Sequence, residues 1–372
     1  MNRFATGYPL LALTISLGAG CAPDDPSVTA PVESVLARGK PASAAYTSSD
    51  LGALLGANSS QANGVNDASD VVGFTSQPSL AAFAILNGVA TTLSGESGNA
   101  KAISNGSPQY VVGFAGSTSA PVRWTIVNGA PSAPEFLALL SNEVGGTALG
   151  VNDAGAAVGT VFDTAGLGHR AAMWSGAGVR TTVEPPAGRG FVNGEGRDID
   201  NAGHAVFVFF EGNADEVSPA RGFLRLASGN LVELVPLAGD VTTYANGLSE
   251  VQNNTVYIAG TSRTSQFVFR AVRWTVDVTN GAILATEVRS ENSHALGVST
   301  DGATVGFVET NAARTPRFTA FLWRGNNFLA LVPPKGARDG RAWAVSASGE
   351  FVAGDAAVGL SRTAILWTIL SP

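Results

Sequence analysis

The chain has 372 residues, 45 glycines and only 14% charged residues, and its 22 Lys and Arg against 29 Asp and Glu give a formal net charge of −7 at pH 7. The few basic residues form no cluster of the kind that binds a phosphate backbone, so we expect no nucleic-acid partner. A chain rich in glycine and poor in charge is typical of many short strands joined by tight turns.

The N-terminal segment predicts export. Residues 1–20 carry one early positive charge, an apolar stretch and small residues at the end, which is the pattern of a secretory signal peptide. Cys21, the only cysteine, follows at once in a position that resembles a bacterial lipobox, although Gly18 stands where that signal usually has Leu. The resemblance implies diacylation of Cys21 and a membrane anchor, and an ordinary cleavage site beside an unmodified thiol is the alternative. Residues 21–43 are predicted to be a flexible or lipid-anchored tether, so we expect an outer-membrane or cell-surface lipoprotein, or else a secreted protein.

From about residue 45 onward, one pattern occurs seven times. Each copy has a small residue that opens a strand, a polar turn of Asn, Asp, Ser and Gly, and a second strand that ends in Val-Gly or a near variant. The Gly position recurs at 73, 113, 159, 207, 260, 306 and 354, with Phe at 207, so successive copies are 40 to 53 residues apart. This period is that of a four-stranded blade, and we predict an all-β fold, a seven-bladed β-propeller, over residues 44–372.

A third strand carries tryptophan at one fixed position in five copies: Trp124, Trp174, Trp274, Trp323 and Trp367. One Trp per blade at a fixed place predicts packing between adjacent blades, and a row of sugar-stacking rings is the alternative. A fourth strand follows, as in Phe136–Leu140 and Phe328–Val332.

The seventh copy stops after its third strand. An open strand edge would be a template for aggregation. Because Tyr46–Leu55 precedes the first copy as an unassigned strand, we predict that it pairs with the strand near 363–370, so that both termini build the last blade.

These repeats resemble the HAF repeat family of extracellular bacterial proteins. The family's half "A-x-x-Ile-Asn-x-x-Gly-x-Val-Val-Gly" is clearest at 62–73 and 148–159, and its "Ala-Phe-Leu-Trp" at 320–323. The naming His is missing from six copies, the nearest match being 169–171. The resemblance covers nearly everything from about residue 45, and it implies a propeller without any activity that transfers residue by residue.

No motif in the sequence amounts to an active site. His169, His204 and His294 lie in different copies, which indicates neither a nucleophile–base pair nor a histidine metal site. The segment 198–203 begins like a calcium loop but lacks ligands at the fifth and twelfth positions, and a hairpin turn is its alternative. We therefore expect no metal and no cofactor.

Charged residues collect in the connections between copies. We expect these connections to share one end of the ring with the loops between second and third strands, whose lengths vary, and loops on a rigid scaffold commonly bind ligands. The candidate ligand-binding residues are Glu184, Arg189, Glu195, Arg197, Asp198, Glu291, His294, Arg338, Asp339 and Arg341. Arg and carboxylate groups around a central opening favour a polar or anionic ligand such as an acidic sugar, and a purely solubilising role is the alternative.

The sequence thus predicts a monomeric, exported binding or scaffold module at the cell envelope, without enzymatic activity, that recognises a polar glycan or a surface protein on the loop-rich face. The alternative is a propeller glycoside hydrolase or polysaccharide lyase. That chemistry needs two carboxylates roughly 5 to 9 Å apart, or a Tyr or His base beside an Arg.

Overall fold

The structure is a computed structural model that describes residues 45–370 except 78, 94–96, 164–167, 213–217 and 313–314, and it does not describe the side chains of residues 290, 291, 311, 312, 315 and 316. The signal peptide, the tether and Cys21 therefore lie outside the described residues, as does the side chain of Glu291.

The described chain folds into seven antiparallel sheets, one for each sequence repeat. It begins with β1 (Tyr46–Asp50) and a single helical turn, α1 (Gly52–Leu55). Blade 1 comprises β2 (Ser59–Val65), β3 (Val71–Gln77), β4 (Ala81–Leu86) and β5 (Val89–Thr92). Blade 2 comprises β6 (Gly98–Ile103), β7 (Gln109–Ala115), β8 (Ala120–Val127), β9 (Ala130–Pro131) and β10 (Glu135–Phe136).

The next blades repeat this order. Blade 3 comprises β11 (Glu143–Val151), β12 (Ala157–Asp163), β13 (His169–Trp174) and β14 (Arg180–Thr182). Blade 4 comprises β15 (Asn193–Ile199), β16 (Ala205–Phe210), β17 (Ala220–Arg225) and β18 (Leu231–Leu234). Blade 5 comprises β19 (Thr242–Leu248), β20 (Thr255–Arg263), β21 (Phe269–Asp277) and β22 (Ala282–Glu291).

Blade 6 comprises β23 (Ser293–Val298), β24 (Thr304–Ala312), β25 (Thr315–Arg324) and β26 (Asn327–Leu331). Blade 7 comprises β27 (Arg338–Val345), β28 (Phe351–Val358) and β29 (Ser361–Ile369), with β1 as its outer strand. The first strands of successive blades contact one another around the whole circle, including β27 with β2. The predicted seven-bladed β-propeller is confirmed.

The termini close the ring as the sequence predicts. Strand β1 pairs antiparallel with β29, with Tyr46 opposite Ile369 and Asp50 opposite Ile365. The strand is shorter than predicted, because Asp50 accepts hydrogen bonds from the Gly52 amide (2.8 Å) and the Thr363 hydroxyl (2.5 Å), and the chain then turns into α1. This pairing covers the edge that blade 7 would otherwise expose.

The fourth strand of blade 2 differs from the prediction. The structure has two-residue strands at Ala130–Pro131 and Glu135–Phe136 in place of a strand over Phe136–Leu140. Pro131 and Pro134 lack the amide donor that a continuous ladder needs, so pairing with β8 is broken into two short pieces.

The repeated tryptophans form the packing between blades. Trp124, Trp174, Trp274, Trp323 and Trp367 are at most 1% exposed. Trp124, for example, packs with Val72 and Ala84 of the preceding blade. The prediction of inter-blade packing is confirmed, and these five rings are not available as sugar platforms.

The recurrent glycine is explained by a bulge in the first strand of every blade. In blade 1 the pairing shifts between Ala62 and Gly64, so Asn63 is the extra residue. A Cβ added at Gly73 of the partner strand would lie 1.9 Å from the Gln61 carbonyl oxygen, so only glycine fits there. Blade 4 reverses the arrangement, with Phe207 opposite Gly196.

No helix among the described residues has the length and apolar character needed to cross a membrane.

Candidate binding site in the central channel

The seven bulges aim one side chain per blade at the axis of the ring. We call this set the bulge ring: Asn63, Lys101, Leu149, Arg197, Asn246, Leu296 and Trp343. All seven line a central cavity of about 200 Å³. This volume is below the roughly 300–1,000 Å³ of pockets for drug-sized ligands, so a small molecule, or one end of a larger molecule, fits.

Two cations of the bulge ring share the cavity. Burial, followed by repulsion from Arg197, lowers the pKa of Lys101 to about 8. Lys101 forms no hydrogen bond or ion pair with a described residue, whereas Nη2 of Arg197 lies 2.5 Å from Oε2 of Glu195. The Nε atom of Arg197 is buried without a hydrogen-bond acceptor among the described groups.

Glu195 is held as an anion on the same strand. Burial by itself would raise the pKa of Glu195, but Arg197 and His169 outweigh this effect and keep the pKa below its usual value. The Nδ1 atom of His169 lies 3.6 Å from Oε1 of Glu195. Glu195 therefore joins β13 to the channel wall of blade 4 and compensates Arg197.

Asp198 stands where other copies have Gly or Ala. Its two carboxylate oxygens accept hydrogen bonds from the amides of Ile199 and Leu248, both at 2.9 Å, so the side chain joins blade 4 to blade 5. Burial raises the pKa of Asp198 to about 7. The neighbouring Asp200 accepts a hydrogen bond from the His204 amide at 2.7 Å and closes the hairpin. The structure thus gives this segment the turn role, not that of a calcium loop.

The turns between first and second strands form one end of the channel, which we call the turn face. The backbone amide of Asp67 donates to Oδ1 of Asn105, the Asn105 amide donates to Asp153, and the Asp153 amide donates to Asn201, all at 2.8 Å. The Asn201 amide continues to Glu250 at 3.0 Å. Blades 1 to 5 are therefore tied in sequence through equivalent turn residues.

The opposite end, the loop face, carries the connections between blades and the loops between second and third strands. Backbone hydrogen bonds place them side by side, as from Gly146 to the Ser119 carbonyl and from Val241 to the Arg263 carbonyl. The predicted sharing of one end by these two kinds of loop is confirmed.

Near the loop face, Asp355 organises blade 7. Its buried carboxylate accepts hydrogen bonds from Arg341 Nη2 at 2.9 Å, from Trp343 Nε1 at 2.5 Å and from Arg362 Nε. Burial, followed by repulsion from Arg341, lowers the pKa of Arg362 to about 10. The carboxylate thus fixes the orientation of Trp343, whose ring lines the cavity.

Aromatic rings continue from Trp343 across three blades. The His294 ring lies between Phe269 and Phe307, with centroid distances of 4.7 and 4.8 Å. Phe307 contacts Trp343 and Phe318 edge to face, at 6.0 and 5.3 Å. Burial lowers the pKa of His294 to about 4, so this ring is neutral at pH 7. All five rings are partly exposed.

The structure separates the predicted site residues into two groups. Glu195, Arg197, Asp198, His294 and Arg341 lie on first strands of blades 4, 6 and 7, and of these Arg197 and Asp198 line the cavity.

The other predicted residues lie towards the rim, Arg338 and Asp339 at the start of the first strand of blade 7. Arg189 is exposed and pairs with Glu233 at 2.8 Å, while Asp339 offers its backbone carbonyl to Arg362 at 2.7 Å. Glu184 and Arg338 are exposed and make no hydrogen bond or ion pair with a described residue.

Sequence reasoning missed most of the bulge ring, including Lys101 and Trp343, and the turn-face acids Asp153 and Glu250. A signal was present. In every copy one variable residue stands between two small or short residues, as in Ala-Lys-Ala at 100–102 and Ala-Trp-Ala at 342–344. That variable position is the bulge.

No group of three or more His, Cys, Asp or Glu side chains in the described part of the chain has the arrangement of a metal site.

Comparisons with known proteins give distant structural similarity only. No family model matches the chain, and no curated protein matches its sequence. A propeller domain of the trilobed protease from Pyrococcus furiosus is 8% identical, with a TM-score of 0.49, over 85% of this chain and 97% of that chain. The SapL1 lectin in complex with alpha methyl fucoside is 10% identical, with a TM-score of 0.43, over 76% of this chain and 99% of that chain.

An acylaminoacyl peptidase from Pyrococcus horikoshii is 12% identical, with a TM-score of 0.33, over 54% of this chain. The match spans about a third (33%) of the length of that peptidase. At these identities and scores, none of the three similarities carries an argument about what this chain binds or catalyses.

Proposed function

We propose that this protein is a binding module, exported to the cell envelope, that takes a polar glycan into its central channel. The observation that carries the proposal is Trp343. It is the one tryptophan that does not pack between blades; it projects from a bulge into the channel and is partly exposed. An amphipathic ring beside fixed polar groups suits a ligand that has both apolar faces and hydroxyl groups.

The polar groups around Trp343 support the same ligand class. The Arg341 guanidinium lies 5.0 Å from the Trp343 ring centroid and is oriented by Asp355. On the axis, the amide of Asn63 donates to Asn99 Oδ1 and to the Ala100 carbonyl, both at 2.7 Å, and that of Asn246 donates to the Ala295 carbonyl at 2.9 Å. These bonds orient the two side chains and leave the carbonyl oxygen of Asn246 as an acceptor at the cavity. Preoriented donors and acceptors of this kind give specificity because their ordering is already complete before a ligand arrives.

A carbohydrate array probed with the purified protein tests the proposal. We expect hits whose affinity falls about tenfold or more in Trp343→Ala, since an aromatic contact and its buried area are lost. The control is Phe136→Ala, because Phe136 is an exposed ring on the outer part of blade 2, away from the channel. Equal loss in both variants, or unchanged binding by a folded Trp343→Ala protein, would refute a channel site.

One observation favours the enzymatic alternative. Glu195 is held ionised, and the pKa of Asp198 is raised to about 7, three residues along the same strand. Carboxyl groups whose pKa values are pushed apart are one requirement for an acid and a base in glycoside hydrolysis, and of these two only Asp198 lines the cavity. Glycans that bind on the array should therefore be incubated with the protein and assayed for new reducing ends. If the protein releases reducing ends and Glu195→Gln does not, the function is hydrolysis and not binding alone.

Export rests on residues 1–43 and is tested separately. We expect the protein to partition with membranes and Cys21→Ser to move it to the soluble fraction, because a diacylated cysteine supplies the membrane affinity. Identical partitioning of the two proteins would contradict lipidation and leave secretion as the alternative.

A further inference from the structure

The charges of the channel wall are not equally compensated. Asp153 accepts hydrogen bonds from the amides of Asn105 and Gly106 at 2.8 and 2.7 Å and from the Asn201 side chain at 2.9 Å. Glu250 accepts from the Asn201 amide. Both acids at the turn end of the cavity therefore already have donors from the protein.

The carboxylates nearer the middle are compensated too. Both oxygens of Asp198 accept backbone amides, and Glu195 is paired with Arg197. Lys101 is different, because it is a partly buried residue of the cavity wall and its ammonium group has no acceptor among the described residues. A charged group in such a place is costly unless an opposite charge or an acceptor reaches it.

Arg197 also has a hydrogen-bond donor without an acceptor. One of its terminal nitrogens is used by Glu195, but its buried Nε donates to no described group. Lys101 and Arg197 repel each other across the cavity that both line. An anion between them would turn this repulsion into two attractions and would supply an acceptor for the Lys101 ammonium group.

We propose that the middle of the channel binds a carboxylate group between Lys101 and Arg197, so that the ligand is an acidic sugar whose ring lies towards Trp343. The assignment of a sugar rests on the proposed function, whereas the carboxylate site does not. The cavity of about 200 Å³ limits the occupant to one small acid or one acidic residue at the end of a glycan.

The chain offers a clean probe, because Lys40, Lys101 and Lys335 are its only lysines. Protein labelled with ¹³C-lysine gives few ε-carbon signals, and Lys101→Arg identifies the signal of Lys101. Acetate is the test carboxylate and glucuronic acid the test sugar acid, with glucose as its neutral match. We expect both acids to shift the Lys101 signal and to raise its pKa from about 8, while the exposed Lys335 is unaffected.

Affinities measured by calorimetry complete the test. We expect glucuronic acid to bind about tenfold or more tightly than glucose, and the preference to vanish in Lys101→Met and Arg197→Met but to survive in the control Lys335→Met. Raising the pH from 8 to 9.5 should weaken binding in the wild type, as Lys101 loses its proton, but not in Lys101→Arg. Burial raises the pKa of Asp198 to about 7 and that of Glu250 to about 6, so these two carboxyl groups of the cavity lose their protons below this range.

The outcomes separate the two proposals. A Lys101 signal that neither acid perturbs, or a preference for glucuronic acid that survives Lys101→Met in a folded protein, would overturn the carboxylate site. A response to acetate as strong as that to glucuronic acid would support the site and count against a sugar. If neutral glycans bind, and their affinity falls in Trp343→Ala but not in Lys101→Met, the result would support the proposed function and refute the carboxylate site.

Discussion

The two ends of the channel are built by different rules. On the turn face, short hairpins of similar sequence carry an amide-to-side-chain hydrogen bond from blade to blade, for example from Asp67 to Asn105 and onward to Asp153. On the loop face, connections of unequal length are held by separate clusters, such as the one around Asp355 in blade 7. The repeated turn hydrogen bonds hold the blades together at the turn face. The loop face can therefore vary in shape and charge.

The comparison also locates the chemistry. The turn-face acids are occupied by backbone amides, while the groups with unused hydrogen-bonding capacity, Lys101 and Arg197, lie on the bulge ring between the two ends. Lys101 and Arg197 therefore stay available to a ligand, whereas the turn-face acids Asp153 and Glu250 already have donors from the protein. Stability and binding should therefore respond to different substitutions.

The largest expected effect is at Asp355. Asp355→Ala removes the acceptor of Arg341, Trp343 and Arg362 and leaves two partly buried guanidinium groups without their carboxylate, so we expect a loss of about 3–5 kcal/mol in the free energy of unfolding. Asp355→Asn keeps an acceptor and should lose less. Urea unfolding measures both, and a loss below about 1 kcal/mol for the alanine variant would show that the cluster does not stabilise blade 7.

On the turn face the effect should scale with the number of donors. Asp153 accepts three hydrogen bonds and Asp67 accepts one from the Ser348 amide, so Asp153→Ala should cost about 1–3 kcal/mol and Asp67→Ala about 1 kcal/mol. The same unfolding measurements compare them. If Asp67→Ala cost as much as Asp153→Ala, the turn face would act as a single closed unit and not as independent links.

A smaller effect is expected from pH. Burial raises the pKa of Asp198 to about 7 and those of Asp200 and Glu250 to about 6, so between about pH 4 and 7 the folded protein holds protons that the unfolded chain has released. Stability should therefore fall as the pH rises through this window. Asp198→Asn should flatten the upper part of the curve, while the exposed Glu184→Gln should not change it.

The smallest effect is expected at the rim of the loop face. Arg338→Ala and Arg189→Ala should leave both melting temperature and ligand affinity nearly unchanged, because one residue has no described partner and the other pairs at an exposed site. Arg341→Ala should weaken binding, because it borders Trp343. Equal losses in all three variants would move the site from the channel to the rim.

The sequence alone determined the architecture, because the repeat is dictated by local chemistry. Val-Gly recurs because the bulge places a carbonyl oxygen where a Cβ of the partner strand would otherwise lie. One Trp recurs because its side chain fills the same space between each blade and its neighbour. The closing strand near residue 46 was predictable for the same reason, as an incomplete last repeat needs a partner.

Only the tertiary structure decided the site. The bulge re-aims one residue per blade, and seven residues about 40 to 50 positions apart converge only when the ring closes. Charge along the sequence drew attention to the connections, where Glu184 and Arg338 are simply exposed, because sequence position does not show which groups find partners. Lys101 lies in a stretch with little charge, and its significance comes from burial beside Arg197, a property that the folded ring alone creates.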